Sequence, residues 1–236
     1  MNKLMCLTLS ALALGCINAA QAKPIAYARG STAMLEYGGD SMIEAQVFYA
    51  PRFNYSFGLS ALRLENASGT RDQTVARANY LLKRWNLPGA QGNLFGYAGI
   101  GTARTRINAS AATGSGSAQN AEARSRSGFA SSAGVQGDYE TRWFYSSARV
   151  DWNRALQQSY RIDTAQIGLS PYAHDYKDWA TFFLLQARHM QGDIGMDAVE
   201  SGVELAALVR VFRGNFWLEG GVTDRGKPQA MLMMNF

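Results

Sequence analysis

Stretches of about ten residues in which apolar and polar side chains alternate one by one recur along this chain, and that period restricts the fold more than any other feature. In "MIEAQVFYA", Ile43, Ala45, Val47 and Tyr49 fall on one face, and Glu44, Gln46 and Phe48 on the other. Such a period belongs to a strand with two unlike faces. "FNYSFGLSA" sets Phe53, Tyr55, Phe57, Leu59 and Ala61 against Asn54, Ser56, Gly58 and Ser60. "WFYSSARVDWN" sets Phe144, Ala148, Val150 and Trp152 against Tyr145, Ser147, Arg149 and Asp151. "VELAALVRVF" sets Val203, Leu205, Ala207, Val209 and Val211 against Glu204 and Arg210. Wound into helices, the same charges would scatter round the whole circumference.

The periodicity predicts about twelve strands, from Ala28–Tyr37 to Ala230–Phe236, with the three central ones at Thr74–Trp85, Leu94–Arg104 and Gly128–Asp138. Ten would also fit if the first strand and one weak pair are assigned differently. Between them stand turn formers such as Gly38-Gly39-Asp40, Ala50-Pro51-Arg52, Gly214-Asn215 and Gly226-Lys227-Pro228. Gly, Ser, Ala and aromatic residues are plentiful while Pro and charges are scarce, which suits strands and turns better than helices. Past residue 22 no apolar run reaches the eighteen or so residues of a spanning helix.

The N-terminal residues read as a cleavable secretory signal over 1–22: Lys3, an apolar run from Leu4 to Ile17, and Ala20-Gln21-Ala22 as the cleavage site. A lipoprotein signal with Cys16 as the lipidated residue competes, but Ala13 stands where a leucine or branched residue belongs. Residues 23–236 then form a single domain. Both cysteines, Cys6 and Cys16, lie in the signal, so cysteine chemistry is absent from the mature chain. Export also argues against a nucleic-acid role.

Amphipathic strands, an export signal and a last strand ending in Phe236, with Met234, Leu232 and Ala230 on its face, resemble the Gram-negative outer-membrane β-barrel proteins. Met234 departs from the class, which often has an aromatic residue there. The resemblance implies an all-β, transmembrane, antiparallel up-and-down barrel in the bacterial outer membrane. It also implies that Phe236, Met234 and Leu232 form an assembly signal read by the barrel-assembly machinery. Outer-membrane lipid and lipopolysaccharide would surround the barrel, the latter meeting the arginines between Arg104 and Arg126. The alternative, a soluble exported β-sandwich, explains the apolar last strand less directly.

With an even strand number and both ends in the periplasm, the longest connection, Asn108–Gly128, is external and Ala50-Pro51-Arg52 is periplasmic. Pro171–Asp178 is long for a periplasmic turn and is expected to touch the rim. Tyr37, Tyr49, Phe53, Trp152, Trp179 and Phe236 fall near strand ends, where aromatic girdles belong.

Function narrows to the inner face. Parity puts Glu36, Glu44, Arg77, Lys83 and Arg149 there, together with Asp151, Arg188, Glu204, Arg210 and Glu219. Two readings follow: a narrow channel for small hydrophilic solutes, and a non-conducting scaffold or interaction protein displaying its loops. The mixed signs allow ion pairs that fill the bore. Small residues at Ser56, Gly58, Ser60, Ser132, Gly134, Gly168 and Ser170 leave room for water and tip the balance towards the channel.

Catalysis finds little support. His189, with Asp193 or Asp197 and Ser201 nearby, is the one candidate for a hydrolase, in no recognisable spacing. His174-Asp175 reads as a solvated turn rather than a metal site, and the methionines, among them Met190, Met196, Met231 and Met233, as strand packing. "GYAGIG" at Gly96–Gly101 lacks the order of a dinucleotide loop and reads as close strand packing. No cofactor or metal is expected.

Overall fold

The computed structural model describes residues 29–66, 69–107, 124–174, 178–192 and 202–236. The expected signal, the external connection over 108–123, and Asp175, Asp193, Met196, Asp197 and Ser201 lie outside them.

Twelve antiparallel strands follow one another round a closed barrel. They are β1 (Gly30–Gly38), β2 (Met42–Arg52), β3 (Tyr55–Asn66), β4 (Gly69–Leu87), β5 (Ala90–Ile107) and β6 (Arg124–Thr141), then β7 (Phe144–Ala155), β8 (Gln158–Leu169), β9 (Ala180–Gly192), β10 (Val203–Arg213), β11 (Phe216–Thr223) and β12 (Pro228–Asn235). Each pairs with its sequence neighbours, and β1 closes on β12 with Ala33 opposite Met234 and Leu35 opposite Leu232. At the seam the Phe236 N–H donates to the Ser31 carbonyl at 2.9 Å, and the Ser31 N–H donates to the Phe236 carbonyl at 2.6 Å. No sheet edge is left at that junction, which is what an apolar terminal strand needs.

The alternation decides inside from outside. On β2, Met42, Glu44, Gln46 and Phe48 are buried while Ile43, Val47 and Tyr49 are exposed. Leu59, Ile100, Phe129, Leu169 and Leu185 are each more than half exposed on the outer wall. That wall is a continuous apolar surface of the kind a soluble monomer avoids.

The three central strands are longer than the periodicity predicts, each running 18 or 19 residues. Arginines and polar residues on both faces at their ends broke the alternation there, while the backbone ladder continued regardless. A bulge between Leu81 and Lys83 inserts one extra residue and reverses the facing beyond it.

Candidate functional site: the filled bore

Twelve strands enclose a wider bore than the eight-stranded barrels that side chains fill readily, so only long side chains meet in the middle. Here they do. Bonds between strands that are not neighbours mark side chains lying across the bore.

At the waist, Glu44 on β2 accepts hydrogen bonds from Gln46 Nε2 at 2.6 Å and Ser60 Oγ at 3.0 Å. Arg149 reaches it from β7, with Nη2 3.6 Å from Glu44 Oε2, while its Nε lies 2.8 Å from Asp151 Oδ2. Tyr97 on β5 donates to Asp151, and Arg77 on β4 donates to Gln46 Oε1 at 2.7 Å. The Arg77 guanidinium lies between the rings of Phe48 and Tyr97, 4.7 and 4.6 Å from their centroids. Charge, hydrogen bond and ring face together compensate a buried cation.

The facing half carries a second network. Arg210 on β10 donates through Nε to Glu219 Oε1 at 2.7 Å and through Nη2 to Gln166 Oε1 at 2.8 Å, and lies 4.0 Å from the Tyr145 ring centroid. An amide chain leads on from Gln166 to Gln186 to Gln229, whose Nε2 donates to Glu204 at 3.1 Å. Arg188 on β9 pairs with Glu36 on β1. Between the networks lies a pocket of about 80 Å³ lined by Arg149, Arg210, Thr164, Gln136 and Glu36, enough for a small group of waters.

Both ends are packed. Towards the turns that join β8 to β9 and β10 to β11, Phe182, Phe212, Trp217, Met34 and Met233 form an apolar layer with Tyr145. His174 from the β8–β9 turn is buried edge-on against Phe182 and Phe212, at 5.3 and 5.4 Å. The expectation of a solvated turn is corrected, because the long turn folds over the mouth and its imidazole completes the aromatic layer. Towards the other end, Met42, Leu64, Val75, Tyr160 and Ile162 pack together. Arg71 donates to Thr105 Oγ1 at 3.0 Å and across the bore to Gln158, and Tyr160 donates to Gln73 at 2.8 Å.

Nine of the ten inner-face candidates turn inwards, and Lys83 does not. The Leu82 bulge leaves it on the outer wall with Nζ 5.4 Å from the Trp85 ring centroid, and puts Arg84 inside, donating to Asn93 at 2.9 Å. Arg71, Gln73, Tyr97 and Asp138 were not on the sequence-derived inner face. Carrying the period of β4 back past Thr74 would have found the first two; amides and tyrosines escape a search for charges. The inner glycines also differ from expectation. A Cβ on Gly134 would sit 2.4 Å from the Tyr97 ring, and one on Gly168 2.2 Å from a Leu184 methyl. These glycines make room for large side chains rather than for water.

His189 stands on the outer wall opposite Asp163, with Nδ1 3.8 Å from Oδ2, and Asp163 also takes Arg161 at 2.7 Å. Among the described residues no group of three or more His, Cys, Asp or Glu could hold a metal ion.

No family model matches the chain, and no curated protein does. Among solved structures it is similar to OmpTdeltaL8, the loop L8 deletion mutant of OmpT, an outer membrane protein of Vibrio cholerae. The two are 9% identical, the match covers 88% of this chain and 97% of that one, and the TM-score is 0.32. A likeness of that size carries no functional weight.

Proposed function

We propose that this outer-membrane β-barrel is a closed scaffold that works through its rim and outer wall, and that solutes do not pass through its bore. The apolar outer wall supports residence in a bilayer, where an unpaired strand edge would be costly and the β1–β12 seam removes it. Placing both ends of the barrel chain in the periplasm puts the 108–123 connection outside the cell, in keeping with the usual short periplasmic turns and longer external loops.

The single observation that carries the closed-bore reading is the ion pair between Arg149 and Glu44, five strands apart, within a waist that Arg77 and Tyr97 also cross. The channel reading draws support from the polar pocket beside Arg210, but an aromatic layer and an apolar layer stand at either end of it. Planar-bilayer recordings test the choice. The purified protein is expected to insert without stepwise conductance; reproducible steps in the native protein would establish the channel instead.

A further inference from the structure

β5 and β6 overrun their neighbour. β6 pairs with β5 along its whole length, from Arg124 opposite Ile107 to Thr141 opposite Ala90, but β7 pairs with it only over Ala130–Glu140. Beyond Ala130 no strand among the described residues pairs with the β7 side of β6, which is met at its foot by the Leu156 N–H, donating to the Phe129 carbonyl at 3.2 Å. There the chain turns into β8 through Leu156 and Gln157, with φ of 54° and 73°. The step so formed borders a pocket of about 600 Å³ lined by Arg126, Ser127, Phe129, Ser131, Arg154 and Gln157.

The chemistry of this step is that of an anion site at an apolar boundary. Arg154 stands directly opposite Ser131 across the β6–β7 pair. Among the described residues neither Arg126 nor Arg154 has a carboxylate within ion-pairing distance. On the same rim Arg63 lies 2.6 Å from Asp72, and Arg161 lies 2.7 Å from Asp163. The lipid-facing wall begins immediately below, with Phe129 63% and Trp152 48% exposed. Arg104 on β5 adds positive charge along the adjacent strand, donating to Ser125 Oγ at 2.9 Å, while Arg106 lies 3.8 Å from Asp72.

We infer that this step binds a phosphomonoester on a lipid headgroup, a more highly charged group than the phosphodiester of a zwitterionic lipid, with the acyl chains lying against Phe129 and Trp152. Guanidinium groups match phosphate oxygens in pairs and are less strongly hydrated than ammonium groups, so Arg154 with Ser127 and Ser131 on the outer face of the step, and Arg126 bordering the same pocket from the other face of the β6 edge, supply the donors of a phosphate cradle. Such a cradle belongs where hydrocarbon gives way to headgroups, and here the arginines lie above exposed rings at that boundary. A free phosphate would find the same donors without the apolar wall, so retention should require the acyl chains. The inference rests on the membrane residence proposed above.

The test uses the full barrel in detergent micelles containing either a doubly phosphorylated, acylated disaccharide or phosphatidylethanolamine, with retained lipid counted by native mass spectrometry. The native protein is expected to retain the lipid bearing phosphomonoesters several-fold more than the zwitterionic phosphodiester. The double variant Arg126→Gln/Arg154→Gln should lose that preference, and Arg52→Gln, at the other end of the barrel, should keep it. Unchanged retention by the double variant, equal retention of the two lipids, or displacement of the lipid by inorganic phosphate at matched concentration would each overturn the site. Insertion into liposomes is measured separately for every variant. Failure of the native protein to insert would remove the membrane reading itself, whereas insertion with unaltered retention removes only the site.

Discussion

Arg149 on β7 and Glu44 on β2 face each other across the bore, Nη2 3.6 Å from Oε2, so that one ion pair ties together walls that share no backbone hydrogen bond. Each has further partners, Asp151 for the arginine and Gln46 and Ser60 for the carboxylate. Replacing Arg149 by Gln leaves two acids with too little positive charge. The expected loss is about 3 to 5 kcal/mol, the usual cost of breaking a buried pair. It should appear as a lower urea midpoint for unfolding in micelles. The double variant Glu44→Gln/Arg149→Gln should lose less than the sum of the two single variants. Strict additivity would mean that the pair is not coupled.

Much of this architecture is legible in the sequence, because a closed barrel writes its inside and outside into alternate residues. Ile43, Val47 and Tyr49 on β2 fall outside as the period requires, and so do Val203, Leu205 and Val209 on β10. Parity fails at Lys83, where one inserted residue reverses the facing without leaving a mark in composition. What fills the bore was less legible still. Gly134 reads equally well as space for water or as space for a neighbour, and only the three-dimensional register brings Tyr97 over it. His174 shows the same limit, since a turn sequence says nothing about which mouth it covers.

Gly134 and Tyr97 face each other on paired strands, so they can be tested together. Gly134→Ala would put a methyl within 2.4 Å of the ring and should cost about 1 to 3 kcal/mol, as overpacking usually does. In a Tyr97→Ser background the same change should cost much less, because the ring that it meets is gone. Urea midpoints of the four proteins decide this; an equal penalty in both backgrounds would show that Gly134 does not serve the ring.

His174 should act as part of a stopper. Leu208 lines the internal pocket behind the aromatic layer, and the chain has cysteines only at positions 6 and 16. A cysteine introduced in the barrel portion, Leu208→Cys, is then a clean reporter. It is expected to react slowly with a small charged thiol reagent. Adding His174→Ala should speed labelling several-fold by removing the imidazole wedged against Phe182 and Phe212. Equal rates would show that the β8–β9 turn does not guard that mouth.

The last relationship concerns Phe236, whose backbone exchanges two hydrogen bonds with Ser31 and whose ring is exposed on the outer wall beside the seam. Deleting it removes both bonds at the point where the last strand must find the first, and leaves two buried-edge amide groups to the bilayer interface. Phe236→Asp keeps the backbone but puts a charge where a ring anchors the strand, a change whose cost falls from about 2 to 4 kcal/mol for basic residues at mid-bilayer towards zero near the interface, and is smaller still for acidic ones. The folded barrel should therefore tolerate Phe236→Asp better than the deletion when refolded from urea into micelles. In cells both variants should accumulate less heat-modifiable barrel in the outer membrane, because the ring is also expected to serve recognition during assembly. If Phe236→Asp assembles in cells as well as the native chain, the ring has no part in that recognition and only the two backbone bonds remain to explain the deletion.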